Sequence, residues 1–137
     1  MMEIRQIEAS DTWPLRHKVM WPNKPLEFVV LLNDEEGLHF GVYEKEILVS
    51  VISLFVNGNE GHFRKFATDE YFQGRGFGSK LLNHVITEAK QMQLVNLKCN
   101  ARVSAIEFYQ RFGMKVASDI IRKNGKDYVL MELALIN

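Results

Sequence analysis

The sequence predicts a mixed α/β (α+β) fold: a central, mixed and mostly antiparallel sheet with helices on both faces and a β-α-β unit at its core. Three observations predict it. From His39 to Thr68, apolar runs separated by turn residues read as an antiparallel meander. After Thr68 the apolar period changes to that of a helix, and a short apolar strand follows it, which makes one β-α-β crossover. The stretch "QGRGFGSK", Gln73 to Lys80, places a glycine at every second position at the first turn of that crossover.

Each element has its own signal. Met2 to Ile7 alternates and reads as a first strand. Ser10-Asp11 supplies an N-cap for a short helix through Met20, with Pro14 in its first turn. That helix stops before Trp21-Pro22-Asn23-Lys24-Pro25, where two prolines forbid regular helix. Leu26 to Leu32 is apolar and fits either a strand or a short helix, and Asn33 to Gly37 is a turn. His39 to Tyr43 and Ile47 to Val56 form a hairpin joined at Glu44-Lys45-Glu46. Asn57 to Gly61 turns the chain into a third strand, His62 to Thr68.

Phe77, Leu81, Leu82, Val85, Ile86 and Ala89 then recur at helical spacing, so an amphipathic helix spans about Gly76 to Met92. Leu94 to Cys99 is a short apolar strand, and Ser104 to Phe112 a second helix with Gly113 as its C′ residue. Met114 to Ala117 and Tyr128 to Leu135 read as closing strands around Lys123-Asn124-Gly125-Lys126, whose Asn-Gly pair favours a tight hairpin.

Composition bounds the function. The 137 residues match one domain, 1–137. With 47% apolar and 25% charged residues, the chain can bury a core and still dissolve. Seventeen basic residues balance seventeen acidic ones, so no global charge draws it to nucleic acid or membrane. The N-terminus lacks the apolar core of a secretory signal, and no apolar run approaches the roughly 18 residues of a membrane span. One cysteine, Cys99, excludes an internal disulfide framework and a cysteine-cluster zinc site, and the four histidines lack helical i, i+4 pairing. The expectation is a soluble, cytoplasmic, metal-independent domain. Exposed edges of a mixed sheet offer a route to a homodimer, which the sequence does not decide.

Three glycines in five residues cost chain entropy, so something else must require them. Glycines just before a helix let an anion approach its unpaired N–H groups and its positive dipole end. A Walker A loop fails here, because four residues must separate its first glycine from Gly-Lys-Ser/Thr, and Lys80 instead follows Ser79. The dinucleotide fingerprint Gly-x-Gly-x-x-Gly also fails: its third glycine falls on Ser79 or on Leu81. The pattern Gln/Arg-x-x-Gly-x-Gly/Ala is met by Gln73, Gly76 and Gly78.

That last pattern lies within "ATDEYFQGRGFGSKLL", Ala67 to Leu82, which resembles the acetyl-CoA-binding motif of the GNAT family of N-acetyltransferases. A second stretch agrees: "NARVSAIEFYQRFGM", Asn100 to Met114, is similar to that family's later Ala-x-x-Phe-Tyr-x-x-x-Gly-Phe/Met segment. The resemblance covers Phe63 to Met114 closely, and element order extends it to most of the chain. It implies a GNAT-like fold and an enzyme that transfers the acetyl group of acetyl-CoA to a primary amine by direct attack in a ternary complex. The alternative is a non-catalytic acyl-CoA-binding sensor on the same fold. A longer acyl donor is a third option.

The resemblance also implies roles. Backbone N–H groups of Gln73, Gly74, Arg75, Gly76, Phe77, Gly78 and Ser79 would hold the pyrophosphate. Arg75 either adds a side-chain contact to phosphate or stays a solvated loop arginine. The strand backbone at Phe66, Ala67 and Thr68 would pair with the pantetheine arm, as in strand addition. Asn100 and Phe108 join the coenzyme set. Many members carry an asparagine seven residues before the tyrosine, where this chain has Arg102, so Asn100 either takes over that contact or the contact is absent. Tyr109 stands where many members carry the general acid that protonates the departing thiolate. His62 falls where some members carry a base glutamate, and an imidazole suits that task near neutral pH. Water chains serve other members. Arg64, two residues on, either orients an acidic acceptor group or pairs with a carboxylate. Cys99 reads as a buried structural thiol.

In this family the first helices and the loop after them shape the acceptor site. Here that is "LRHKVMWPNKP", Leu15 to Pro25. Arg16, His17 and Trp21 could line a basic, aromatic pocket; otherwise Trp21 caps the core while Arg16 and His17 face water.

Overall fold

Residues 2–135 are described by a computed structural model. Their strands form one eight-stranded sheet in the order Met2–Ile7, Leu38–Glu44, Ile47–Asn57, Glu60–Thr68, Asn96–Arg102, Lys126–Ala134 and Lys115–Val116, with Ile121–Lys123 also pairing Lys126–Ala134. Contacts divide the chain into two compact units, one up to Phe55 and from Arg64 to Val85, the other from Val56 to Phe63 and from Ile86 onward.

In the first unit, β2 (Leu38–Glu44) and β3 (Ile47–Asn57) form the predicted hairpin that opens the meander, and β1 (Met2–Ile7) adds to it antiparallel beside β2. The β2–β3 turn takes the two left-handed residues of a tight hairpin, Lys45 (φ 50°) and Glu46 (φ 68°), although neither is Gly or Asn. Helix α1 (Ala9–Leu15) starts one residue before the expected cap: Glu8 is the N-cap, and its N–H donates to the Asp11 carboxylate at 3.0 Å. Pro14 therefore lies near the end of α1, not in its first turn. After α1 the chain widens into a π turn over Arg16–Met20 before the Trp21–Pro25 stop. Leu15, Val51 and Ala67 are the buried centre of this unit, with Ile7, Val19, Met20 and Leu48 packed around them. The ambiguous Leu26 to Leu32 stretch becomes a 3₁₀ turn at Leu26–Val29.

Strand β4 (Glu60–Thr68) follows a turn in which Gly58 is left-handed (φ 62°). Lys65, inside β4, is left-handed as well (φ 55°), a conformation that disfavours any side chain with a Cβ. Helix α2 (Phe77–Gln91) matches its prediction, and Phe77, Leu81, Leu82, Val85, Ile86 and Ala89 are all buried.

In the second unit, β5 (Asn96–Arg102) runs parallel to β4 over three pairs, Glu60 to His62 opposite Asn96 to Lys98. It runs antiparallel to β8 (Lys126–Ala134) over its whole length. The predicted Ser104–Phe112 helix is shorter than expected: a 3₁₀ turn at Val103–Ala105 leads into α3 (Ile106–Gln110). Gly113 takes the left-handed C′ role (φ 93°), and Met114 N–H caps the Tyr109 carbonyl. The closing strands differ from the expected pair. β6 is only Lys115–Val116, and a further strand, β7 (Ile121–Lys123), makes the hairpin with β8 across Asn124-Gly125. Ser118 explains part of the break, since its hydroxyl accepts the Leu130 N–H that a continuous strand would have used.

Candidate functional site

The glycine loop is built from the end of β4. Asp69 accepts the Tyr71 N–H at 2.9 Å and so caps the 3₁₀ turn Glu70–Phe72. Lys18 anchors that carboxylate at 2.8 Å, and its ammonium is the main reason the Asp69 carboxyl lies below its ordinary value. Gln73 folds back, its side-chain amide donating to the Thr68 carbonyl at 2.9 Å. The strand end and the loop are thus tied at both sides.

The glycines serve two different needs. Gly74 (φ 77°) and Gly76 (φ 85°) are left-handed, and a Cβ at either would meet nothing within 4 Å. Backbone handedness, not crowding by the protein, demands glycine there. Gly78 is the crowded one: a Cβ would sit 3.3 Å from the Phe66 ring and from the Thr68 hydroxyl. The first helical bond of α2 runs from Lys80 N–H to the Gly76 carbonyl at 3.1 Å. Helix geometry leaves the N–H groups of Phe77, Gly78 and Ser79 ahead of it without an intrahelical acceptor. Unpaired N–H groups following a loop left open at Gly74 and Gly76 fit a phosphate.

Arg75 is exposed, and its guanidinium lies over the rings of Tyr71 (5.5 Å) and Phe72 (5.3 Å). Phe77 is buried, its ring edge-to-face with Phe72 at 6.0 Å. Thr68 and Ala67 are held to β3 through the Ser50 hydroxyl, 2.8 Å from the Thr68 oxygen and 3.3 Å from the Ala67 carbonyl.

In the second unit, Tyr109 and Cys99 are buried together, and the Tyr109 ring is 5.8 Å from Phe63 and 5.2 Å from Phe108. Burial, with a smaller contribution from Cys99, pushes the Tyr109 hydroxyl above its ordinary value, so it stays protonated throughout the neutral range. Burial alone pushes the Cys99 thiol up to about 12, which suits a structural thiol and not a nucleophile.

A family model for the "Acetyltransferase (GNAT) domain" matches residues 17–135. The chain belongs to the GNAT acetyltransferase family. YitI of Bacillus subtilis (strain 168), an uncharacterized N-acetyltransferase, is 27% identical over 124 residues, covering 84% of this chain and 83% of its own. Among solved structures, a ribosomal-protein alanine N-acetyltransferase of Escherichia coli matches with a TM-score of 0.85 at 21% identity, over 98% of this chain and 94% of its own. A GNAT family acetyltransferase of Elizabethkingia anophelis, solved with acetyl-CoA bound, matches with a TM-score of 0.77 at 20% identity, over 98% of both chains. These structural likenesses bear out the predicted GNAT fold.

Other residues singled out for a GNAT site divide clearly. His62 is half-buried on β4, opposite Lys98 of β5. Asn100 is exposed on β5, opposite Leu130. Phe108 is half-buried against Tyr109 and Phe112. His17 Nε2 donates to the Lys24 carbonyl at 2.6 Å, and Trp21 meets Phe28 edge-to-face at 5.1 Å.

Arg16 corrects the expectation. It neither faces water nor lines an open pocket: it is fully buried. Its guanidinium forks onto Asp34 at 2.8 and 2.9 Å and donates to the Val29 carbonyl and the Ser53 hydroxyl, each at 2.9 Å. Asp34 also accepts Trp13 Nε1–H and Leu31 N–H. Its burial opposes the charge, but these hydrogen bonds outweigh that and hold the carboxyl below its ordinary value. His39 completes the network between the Asp34 carbonyl (2.8 Å) and Ser53 (2.7 Å). The sequence carried no sign of this pair, because its members are separated by the whole Trp21–Asn33 excursion.

Proposed function

We propose that this chain is an N-acetyltransferase that moves the acetyl group of acetyl-CoA to a primary amine by direct attack in a ternary complex. Residues 1–137 are taken as one such domain, acting in the cytoplasm. The observation that carries the reading is the loop from Gln73 to Gly78, with two left-handed glycines opening onto the N-terminus of α2.

Acetyl-CoA supplies the thioester. The backbone of Gln73 to Ser79 binds its pyrophosphate, as a fixed set of N–H donors backed by the helix dipole. The backbone of Phe66, Ala67 and Thr68 receives the pantetheine arm as an added strand, with Asn100 and Phe108 contributing beside β5. His62 takes the proton that the amine must lose. Tyr109 donates its proton to the departing sulfur, which a protonated, buried hydroxyl can do and a tyrosinate cannot.

Thermal denaturation with acetyl-CoA or coenzyme A tests the binding step. Both are expected to raise the midpoint of the wild-type protein. In Gly76→Val a β-branched residue must adopt φ 85°, so its own midpoint should drop by several degrees and the rise with acetyl-CoA should disappear. No stabilisation of the wild type by either ligand would refute the coenzyme site. A panel of amines scored by thiol release then tests transfer. Tight coenzyme binding with no turnover on any amine points to the sensor instead.

His62→Ala should lower the rate most near neutral pH and least at high pH, where free amine is abundant. A pH–rate profile identical to that of the wild type removes His62 from the reaction.

A further inference from the structure

Arg64 stands on β4 just before the left-handed Lys65. The chain has seven arginines. Among the described residues, Arg5, Arg16 and Arg122 each hold a carboxylate, while Arg75, Arg102 and Arg111 each lie over an aromatic ring. Arg64 has neither kind of partner there. Yet it is half-buried, so its guanidinium has given up part of its hydration.

The charges that Arg64 feels are Arg16 and Asp34. Asp34 is already committed to Arg16 and its neighbours: Oδ2 accepts from Arg16, Trp13 and Leu31, and Oδ1 accepts the second Arg16 donor. Arg16 is neutralised by Asp34, and both are sealed in the core. The surplus positive charge of this region therefore rests on Arg64. Burial and the repulsion of Arg16 both disfavour that charge. An anion delivered from outside would relieve both, through two parallel N–H···O bonds of the guanidinium fork.

The coenzyme's pyrophosphate is not that anion. At a strand rise of about 3.3 Å per residue, Thr68 lies on the order of 10 Å beyond Arg64, and the glycine loop starts only after Thr68. A different group must reach Arg64, from the other reactant.

We propose that Arg64 binds a carboxylate on the acceptor, so that the preferred substrate is a small amine that also carries a carboxylate, in the manner of an amino acid. This rests on the acetyltransferase reading above and names the substrate class of that same site. Arg64 touches the acceptor and sets specificity; it takes no part in proton transfer.

The test uses matched pairs that differ by one carboxylate: tyrosine and tyramine, tryptophan and tryptamine, histidine and histamine. With acetyl-CoA as donor, the acid of a pair is expected to show the higher kcat/KM. Arg64→Gln should raise its KM about 10- to 100-fold, with the KM for acetyl-CoA and the kcat for the decarboxylated amine unchanged. Arg64→Lys should recover part of the loss. A wild-type preference for the amines, or a preference for acids that survives Arg64→Gln, overturns the proposal.

A second arm needs no turnover. In the coenzyme A complex, the Nε–H NMR signal of Arg64, assigned by its loss in Arg64→Lys, should move on titration with N-acetyltyrosine and stay in place with N-acetyltyrosinamide. A signal that N-acetyltyrosine, N-acetyltryptophan and N-acetylhistidine all leave in place overturns the proposal. If coenzyme A still raises the thermal midpoint in that case, the coenzyme site stands and only the acceptor assignment falls.

Discussion

Tyr109→Phe is expected to lower kcat about 100-fold, with the KM for acetyl-CoA unchanged and the thermal midpoint within a few degrees of the wild type. That factor corresponds to about 2.7 kcal/mol of transition-state stabilisation. The substitution keeps the ring, and with it the contacts to Phe63 and Phe108. It removes only the hydroxyl, whose loss from a buried hydrogen bond costs about 1 kcal/mol of stability. The two effects therefore separate. Burial raises the hydroxyl's pKa, so the wild-type rate should hold well into the alkaline range where an ordinary tyrosine would start to ionise. A phenylalanine variant as fast as the wild type would remove Tyr109 from the reaction, and thiolate protonation would pass to water.

Asp34→Ala is expected to destabilise the fold by about 3–5 kcal/mol, because it strands the Arg16 guanidinium in the core without its counter-charge. For a chain of this length that lowers the midpoint by about 10 °C or more. Arg16→Met together with Asp34→Ala should regain much of the loss, since no charge then remains buried. Chemical denaturation of the single and double variants measures both. A single variant within about 1 kcal/mol of the wild type would show the pair to be a spectator.

The pH dependence follows from the same network. The folded Asp34 carboxyl has a lower pKa than the unfolded one. Its stabilisation is therefore complete above the unfolded value of about 3.9 and is lost as pH falls through the lower folded value. The wild type should lose stability in that acidic window, and the double variant should lose less.

The glycine loop was readable because its signals are local. Glycine spacing, the strand before it and the amphipathic helix after it lie within one run of sequence, and α2 appears within a residue of its expected limits. The hairpin at Asn124-Gly125 was readable for the same reason: its two left-handed residues announce themselves. Lys65 announces nothing. A lysine is the wrong residue for φ 55°, and it takes that conformation inside β4. The β2–β3 turn at Lys45-Glu46 is a second case of tertiary pairing overriding local preference. The closing strands were misjudged because Ser118, a single hydroxyl, takes the place of a backbone partner.

Arg16 marks the boundary most sharply. In "LRHKVMWP" it reads as one more basic residue on a helix, and by composition such a residue faces water. Its burial depends on the Val29 carbonyl, Asp34 and Ser53, partners that lie 13, 18 and 37 positions further along the chain. The sequence by itself determined the fold class and the place of the glycine loop, which rest on periodicity and spacing between near neighbours, and its two motifs carried the resemblance to the family. Only the tertiary structure decided that Arg16 is neutralised inside by Asp34 and that Arg64 is left half-buried on β4. Ion pairing is set by distances in space between residues far apart in the chain, and no local pattern encodes them.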